Sequence, residues 1–159
     1  MIILGVDPGY HRCGFAVLET KKNQQKLLDY GVICTNSTDD FSDRLEEIVI
    51  DFETLIKKHK PDLVVIEDLF FVKNITTGLK VSEVVGVLRY TAKKEKIPVQ
   101  QPKPVEVKSA FCGDGHADKK QMLRMAQKIF KLESEPHLDD AADAIAVAYW
   151  GSITKTYEF

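Results

Sequence analysis

Apolar residues fall in short blocks at the start of the chain and at helical spacing further on. Ile2-Ile3-Leu4-Gly5-Val6 predicts a buried strand over 2–8, and Gly9 turns the chain after it. Residues 13–20 and 26–36 read as two more strands. The polar link Lys21-Lys22-Asn23-Gln24-Gln25 is short enough for a hairpin, so these two are expected to be antiparallel neighbours. From Asp40 to His59, the residues Leu45, Ile48, Val49, Phe52 and Ile56 recur at helical spacing, and Pro61 closes that helix. The nearly all-apolar stretch 62–67 predicts a central parallel strand. A helix over 76–96, a short strand at 97–101 and helices over 104–111, 118–131 and 139–156 follow. This order predicts an α/β fold: a mixed five-stranded sheet, three antiparallel strands plus parallel strands, flanked by helices. With no repeat, low-complexity segment or linker, 1–159 is expected to be a single domain.

Four acidic residues stand where these elements end. Asp7 follows the first apolar block and Glu67 follows Leu63-Val64-Val65-Ile66. Asp140 and Asp143 open the small-residue helix that continues through Ala144-Ile145-Ala146-Val147-Ala148. If the first and fourth strands lie side by side, Asp7 and Glu67 reach the same sheet edge. Residues i and i+3 share a helix face, so Asp140 and Asp143 can join them. Carboxylates distant in sequence and gathered this way suit a hard divalent cation, which takes oxygen ligands. The commoner role of a single Asp is a helix cap or surface charge; Asp139 competes for that role ahead of Asp140, and His137 is either a surface residue or a support to the site.

Composition narrows the classes further. The 44% hydrophobic content, with 9 Gly and 6 Pro, is that of a globular protein. Three cysteines, Cys13, Cys34 and Cys112, with no CxxC spacing suggest neither a disulfide framework nor a zinc site; they are expected to be reduced and mostly buried. No leader-like start and no run of membrane-span length is evident, so a soluble cytoplasmic protein with no membrane partner is expected. The net charge of −2 conceals a division. Residues 1–69 hold 8 basic against 13 acidic residues, 70–135 hold 13 against 7, and 136–159 hold 1 against 4. An acidic pocket beside a basic flank is the field expected of a metal site that accepts phosphates, though alternating charge around solvated helices is an equally ordinary source.

The strings around the acids carry a resemblance. Ile3-Leu4-Gly5-Val6-Asp7-Pro8-Gly9 with Cys13-Gly14-Phe15-Ala16-Val17 resembles the opening of bacterial RuvC-type Holliday-junction resolvases. So do Ile66-Glu67-Asp68-Leu69-Phe70-Phe71-Val72-Lys73-Asn74, Gly86-Val87, Pro104-Val105-Glu106-Val107-Lys108, Gly113-Asp114-Gly115-His116-Ala117-Asp118-Lys119 and Asp140-Ala141-Ala142-Asp143-Ala144. The match runs through nearly the whole chain in order. It implies an RNase H-like fold, a homodimer and magnesium-dependent paired nicking of four-way DNA junctions, with a branch-migration complex of RuvA and RuvB as partner. Mn2+ is the expected substitute for Mg2+. By this match Asp7, Glu67, Asp140 and Asp143 are the catalytic and metal-binding carboxylates, holding two ions about 3.5–4 Å apart. The implied products carry a 5′-phosphate and a 3′-hydroxyl.

The same resemblance sorts the DNA-facing residues. Lys108 and Lys119 match positions near the scissile phosphate, and Lys73, Lys80, Lys120 and Arg124 are further phosphate candidates. Phe70 is favoured over Phe71 for stacking on an unpaired base; packing beneath the loop is the alternative for either. The Gly113-Asp114-Gly115 turn is either a strand-facing row of amides or a plain loop. Val81, Val84, Val85 and Leu88 form a stripe that serves either the core or a partner copy. Gly5-Val6-Asp7-Pro8-Gly9 also resembles the first phosphate loop of actin-like ATPases, which need two such domains. A related RNA-cutting nuclease and a non-catalytic junction-binding module are the other readings.

Overall fold

The computed structural model describes residues 1–22, 24–69, 75–133 and 138–154. Among these residues five strands form one sheet: β1 (Ile2–Asp7), β2 (Arg12–Lys21), β3 (Gln24–Cys34), β4 (Leu63–Ile66) and β5 (Val99–Gln100). Their spatial order is β3-β2-β1-β4-β5, with β1–β2 and β2–β3 antiparallel and β1–β4 and β4–β5 parallel. The expected mixed sheet is therefore observed, with β1 and β4 adjacent. The hairpin strands run closer to their turn than expected, and the fifth strand is reduced to two residues.

Among the described residues five helices cover the sheet: α1 (Phe41–His59), α2 (Ile75–Lys94), α3 (Pro104–Cys112), α4 (Lys119–Phe130) and α5 (Leu138–Ile153). Side chains alternate across a strand, so each strand divides between two cores. Leu4, Val6, Cys13, Val17, Val64 and Ile66 pack with Ile48 and Phe52 of α1 and with Val84 and Leu88 of α2. On the other face Ile3, Ala16, Leu18, Leu63 and Val65 pack with Ala144, Ile145 and Ala148 of α5, Val107 and Phe111 of α3, and Met122 and Ala126 of α4.

The second core is closely spaced because its facing residues are small. A Cβ placed on Gly5 would stand 2.4 Å from the Ala148 nitrogen and 2.7 Å from the Ala144 oxygen. One placed on Gly14 would stand 2.6 Å from the Asp140 carbonyl oxygen. Both lie far inside ordinary contact, so these glycines let the α5 backbone rest directly on β1 and β2. Ala141, Ala142, Ala144, Ile145, Ala146, Val147 and Ala148 are all buried, as expected of a helix that is apolar around most of its girth.

One alternative is resolved and one expectation corrected. Val84, Val85 and Leu88 are core residues, so of the two readings of that stripe the core one holds. The opposite side of α2 carries the exposed apolar residues Ile75, Leu79 and Tyr90, together with open Gly86. The cysteines are all free, but only Cys13 is buried; Cys34 is exposed. Among the described residues no helix is long and apolar enough to cross a membrane.

Candidate active site

Strand alternation carries Asp7 to its place. Ile3 and Gly5 face α5, so Asp7, two residues on, points to the same side at the end of β1. Leu63 and Val65 face α5 in β4, and Glu67 continues that series. The Glu67 amide donates to the Val6 carbonyl at 3.0 Å, prolonging the parallel pairing one step past β4 and holding Glu67 beside Asp7. Across the other border of β1, Asp7 is paired with Gly14, and the Asp140 backbone rests on Gly14. Three elements therefore deliver four carboxylates to one edge.

Their electrostatics record the crowding. Burial, then the charge of Asp143, pushes the Asp7 carboxyl up to about 7; Lys119 opposes this and Asp140 adds to it. Burial, then Asp7 and Asp143, pushes Glu67 up to about 8 against the pull of Lys108. The outer two acids are engaged by cations. Arg12 Nη1 donates to Asp140 Oδ2 at 2.8 Å, and Lys119 Nζ lies 3.9 Å from Asp143 Oδ2. Among the described residues no three His, Cys, Asp or Glu side chains stand together as a ready-made metal site. The donor set nevertheless fits a hard divalent ion: four carboxylates, two of them held toward their neutral forms by burial and mutual repulsion.

Of the expected DNA-facing residues, Lys108 and Lys119 are brought to the carboxylates, each within electrostatic range of one or two of them. Lys120 and Arg124 are exposed on α4; Arg124 borders a shallow hollow with Cys112, Asp114 and Lys128. Lys80 extends over the rings of Tyr10 and Phe41, at 5.5 and 5.3 Å. The 113–116 segment is a capping turn: Gly113 ends α3 with φ +77, and the His116 amide donates to Asp114 Oδ1 at 2.9 Å. Phe70, Phe71, Lys73, Asn74, His137 and the side chain of Asp139 lie outside the described residues.

Two contributors were missed from the sequence. Arg12 shares the α5 face of β2 with Gly14 and Ala16, so its period-2 offset from Gly14 was the available signal. Arg44 is 4% exposed and anchors the loop that links Asp7 to Arg12. Its Nη2 donates to the Tyr10 carbonyl at 2.5 Å, its Nε donates to Thr35 Oγ1 at 2.9 Å, and its guanidinium stacks 4.9 Å from the Tyr10 ring centre. Arg44 lies four and eight residues before Ile48 and Phe52, a charge on the buried face of α1, and that placement was legible.

The chain is similar to known proteins along almost its full length. Residues 3–150 match the model of the family described as crossover junction endodeoxyribonuclease RuvC. The crossover junction endodeoxyribonuclease RuvC of Petrotoga mobilis is 44% identical over 149 residues, covering 94% of this chain and 91% of that protein. That of Thermosipho melanesiensis is 40% identical, covering 94% and 95%. The structure of Thermus thermophilus RuvC in complex with a Holliday junction substrate superimposes with a TM-score of 0.86 at 28% identity, over 94% of this chain and 92% of that one. The mixed sheet with its flanking helices is thus the RNase H-like fold of the RuvC structures. By sequence match along almost its full length and by architecture, the chain belongs to the crossover junction endodeoxyribonuclease RuvC family.

Proposed function

We propose that Asp7, Glu67, Asp140 and Asp143 are the catalytic, metal-holding carboxylates with which this chain, as a single nuclease domain, resolves four-way DNA junctions in recombination and repair. The observation that carries the assignment is the mutual charge of these acids at the shared edge of β1, β4 and α5. The family is one of metal-dependent nucleases. Mg2+ fits the donor set best, with two ions per site and Mn2+ as substitute. When bound, such ions supply Lewis acidity and an activated water for in-line hydrolysis, leaving a 5′-phosphate and a 3′-hydroxyl.

The chain's own residues do the rest. Asp7 and Glu67 retain protons near neutral pH in the metal-free state, and those protons must leave as the site loads. Cleavage at limiting Mg2+ is therefore expected to rise as pH increases through about 7 to 8. Lys108 and Lys119 set positive charge beside the acids, where it steadies the anionic phosphoryl group. Lys73, Lys120 and Arg124 take phosphates away from the cut, and Phe70, three residues past Glu67, stacks on a base of the opened junction.

Two symmetric cuts call for two copies related by a two-fold axis. The exposed face of α2 supplies the contact. Ile75, Leu79, Gly86 and Tyr90 recur within one helical stripe, opposite the buried Val84 and Leu88. Leu79→Glu with Tyr90→Glu is expected to shift the protein to monomer in sedimentation; an unchanged dimer removes this face from the assembly. Action on chromosomal DNA in the cytoplasm, with the RuvA–RuvB complex driving branch migration, completes the proposal.

Its test compares wild type with Asp7→Asn on a synthetic four-way junction and a matched linear duplex, with Mg2+ or chelator. Both proteins are expected to bind the junction, while only wild type with Mg2+ nicks it at paired positions. Equal cleavage by the variant would overturn the carboxylate assignment.

A further inference from the structure

Arg12 is the one cation described above that enters the carboxylate site from the sheet itself. It begins β2 on the face that α5 covers, two residues before Gly14, and Asp140 rests on Gly14. The ion pair is short, at 2.8 Å, yet the Arg12 side chain remains 52% exposed, against 20% for Asp140. The guanidinium thus approaches from the solvent side, where a substrate strand must also arrive. Lys119, 70% exposed, takes the corresponding position against Asp143.

A carboxylate oxygen cannot give its full charge to a guanidinium and to a divalent ion together. Arginine keeps its charge at every working pH, so movement of the side chain, not loss of a proton, is what frees Asp140 Oδ2, the oxygen it holds. We infer that Arg12 is a placeholder cation: it holds Asp140 at the site in the metal-free protein, yields that carboxylate to the entering metal ion, and turns its guanidinium to a phosphate of the DNA strand. Arg12 is in this sense a positioning residue that couples metal loading to substrate binding. Its geometry suits the exchange, since a planar guanidinium pairs as well with a phosphate as with a carboxylate. The partial exposure keeps the pair weak enough to exchange, because solvent screens it.

The inference rests on the assignment of Asp140 as a metal ligand, and the experiment separates the two. Mn2+ binding to the full chain without DNA is measured by titration calorimetry for wild type, Arg12→Gln and Arg12→Lys. Removing the competing charge is expected to tighten Mn2+ binding about three- to fivefold in Arg12→Gln, while Arg12→Lys returns toward wild type. Four-way junction binding is then measured in Ca2+ over a range of salt concentration. Arg12→Gln is expected to bind more weakly, with the slope of log affinity against log salt reduced by about 1. Unchanged or weaker Mn2+ binding in Arg12→Gln overturns the placeholder role, and an unchanged salt slope overturns the transfer to phosphate. If wild type itself binds no Mn2+, the metal-site assignment fails instead.

Discussion

The two faces of the sheet solve different problems. On one, α1 and α2 fill the space with large side chains: Phe52, Ile48 and Leu88 meet Leu4, Val6 and Ile66. On the other, α5 meets β1 and β2 through Gly5, Gly14 and alanines, backbone close against backbone. Large side chains remove more apolar area from water, so the first face contributes more stability per residue. Small ones leave little room for the helix to slide, and this is the face whose helix carries Asp140 and Asp143. Separating burial from positioning in this way means that damage to one face can be told from damage to the other.

The largest expected effect tests the α1 face. Phe52→Ala removes a fully buried ring and is expected to cost about 3–5 kcal/mol in urea unfolding. Its junction cleavage rate, measured well below the new melting temperature, is expected to stay near wild type. A matching loss of rate would erase the distinction between the faces.

The acids of the α5 face predict a pH effect of a few kcal/mol in chelator-treated protein. Asp7 and Glu67 have folded pKa values of about 7 and 8, above their ordinary values of 3.8 and 4.5. Their ionisation therefore opposes folding: the cost is absent below about pH 4, grows as pH rises, and is fully present above about pH 8. Denaturation midpoints at pH 5 and pH 8 should differ in that sense, with a smaller difference in Asp7→Asn or with Mg2+ present. Stability that rises with pH over this range would contradict the crowding of charge at the site.

Gly5→Ala should give the converse of Phe52→Ala. Its methyl meets α5 backbone, so α5 must shift, and cleavage is expected to fall about 100-fold for a displacement near 1 Å. The accompanying stability loss is expected to be about 1–3 kcal/mol. Full activity in a folded Gly5→Ala protein would show that close helix seating is not what positions the acids. At the small end, Lys58→Ala breaks the 2.7 Å ion pair of α1 with Asp29 and should change stability by no more than about 1 kcal/mol, leaving cleavage unaltered.

What was legible in advance follows the same division. Strand and helix periods marked the apolar faces, and the acids at the ends of β1 and β4 stood out because a charge directly after a buried run needs a reason. The stripe on α2 was visible too, but its side was ambiguous. Val84 and Leu88 look alike whether they face a sheet or a second copy, and only the packing of α2 showed that they face the core while Leu79 and Tyr90 do not. Arg12 was hidden for another reason. The period-2 offset from Gly14 places this exposed arginine on the α5 face, but nothing local names its partner, which lies 128 residues away.

By itself the sequence determined the order of local elements, the mixed sheet and, through its motifs, the family, and it marked four acids as candidates. Periodicity and residue chemistry are local properties, and local properties survive in a linear string. The tertiary structure alone decided which cations oppose which acids, how far burial lifts Asp7 and Glu67, and which side of α2 is open. These depend on distances across the fold and on the exclusion of water, which arise only when β1, β4 and α5 come together.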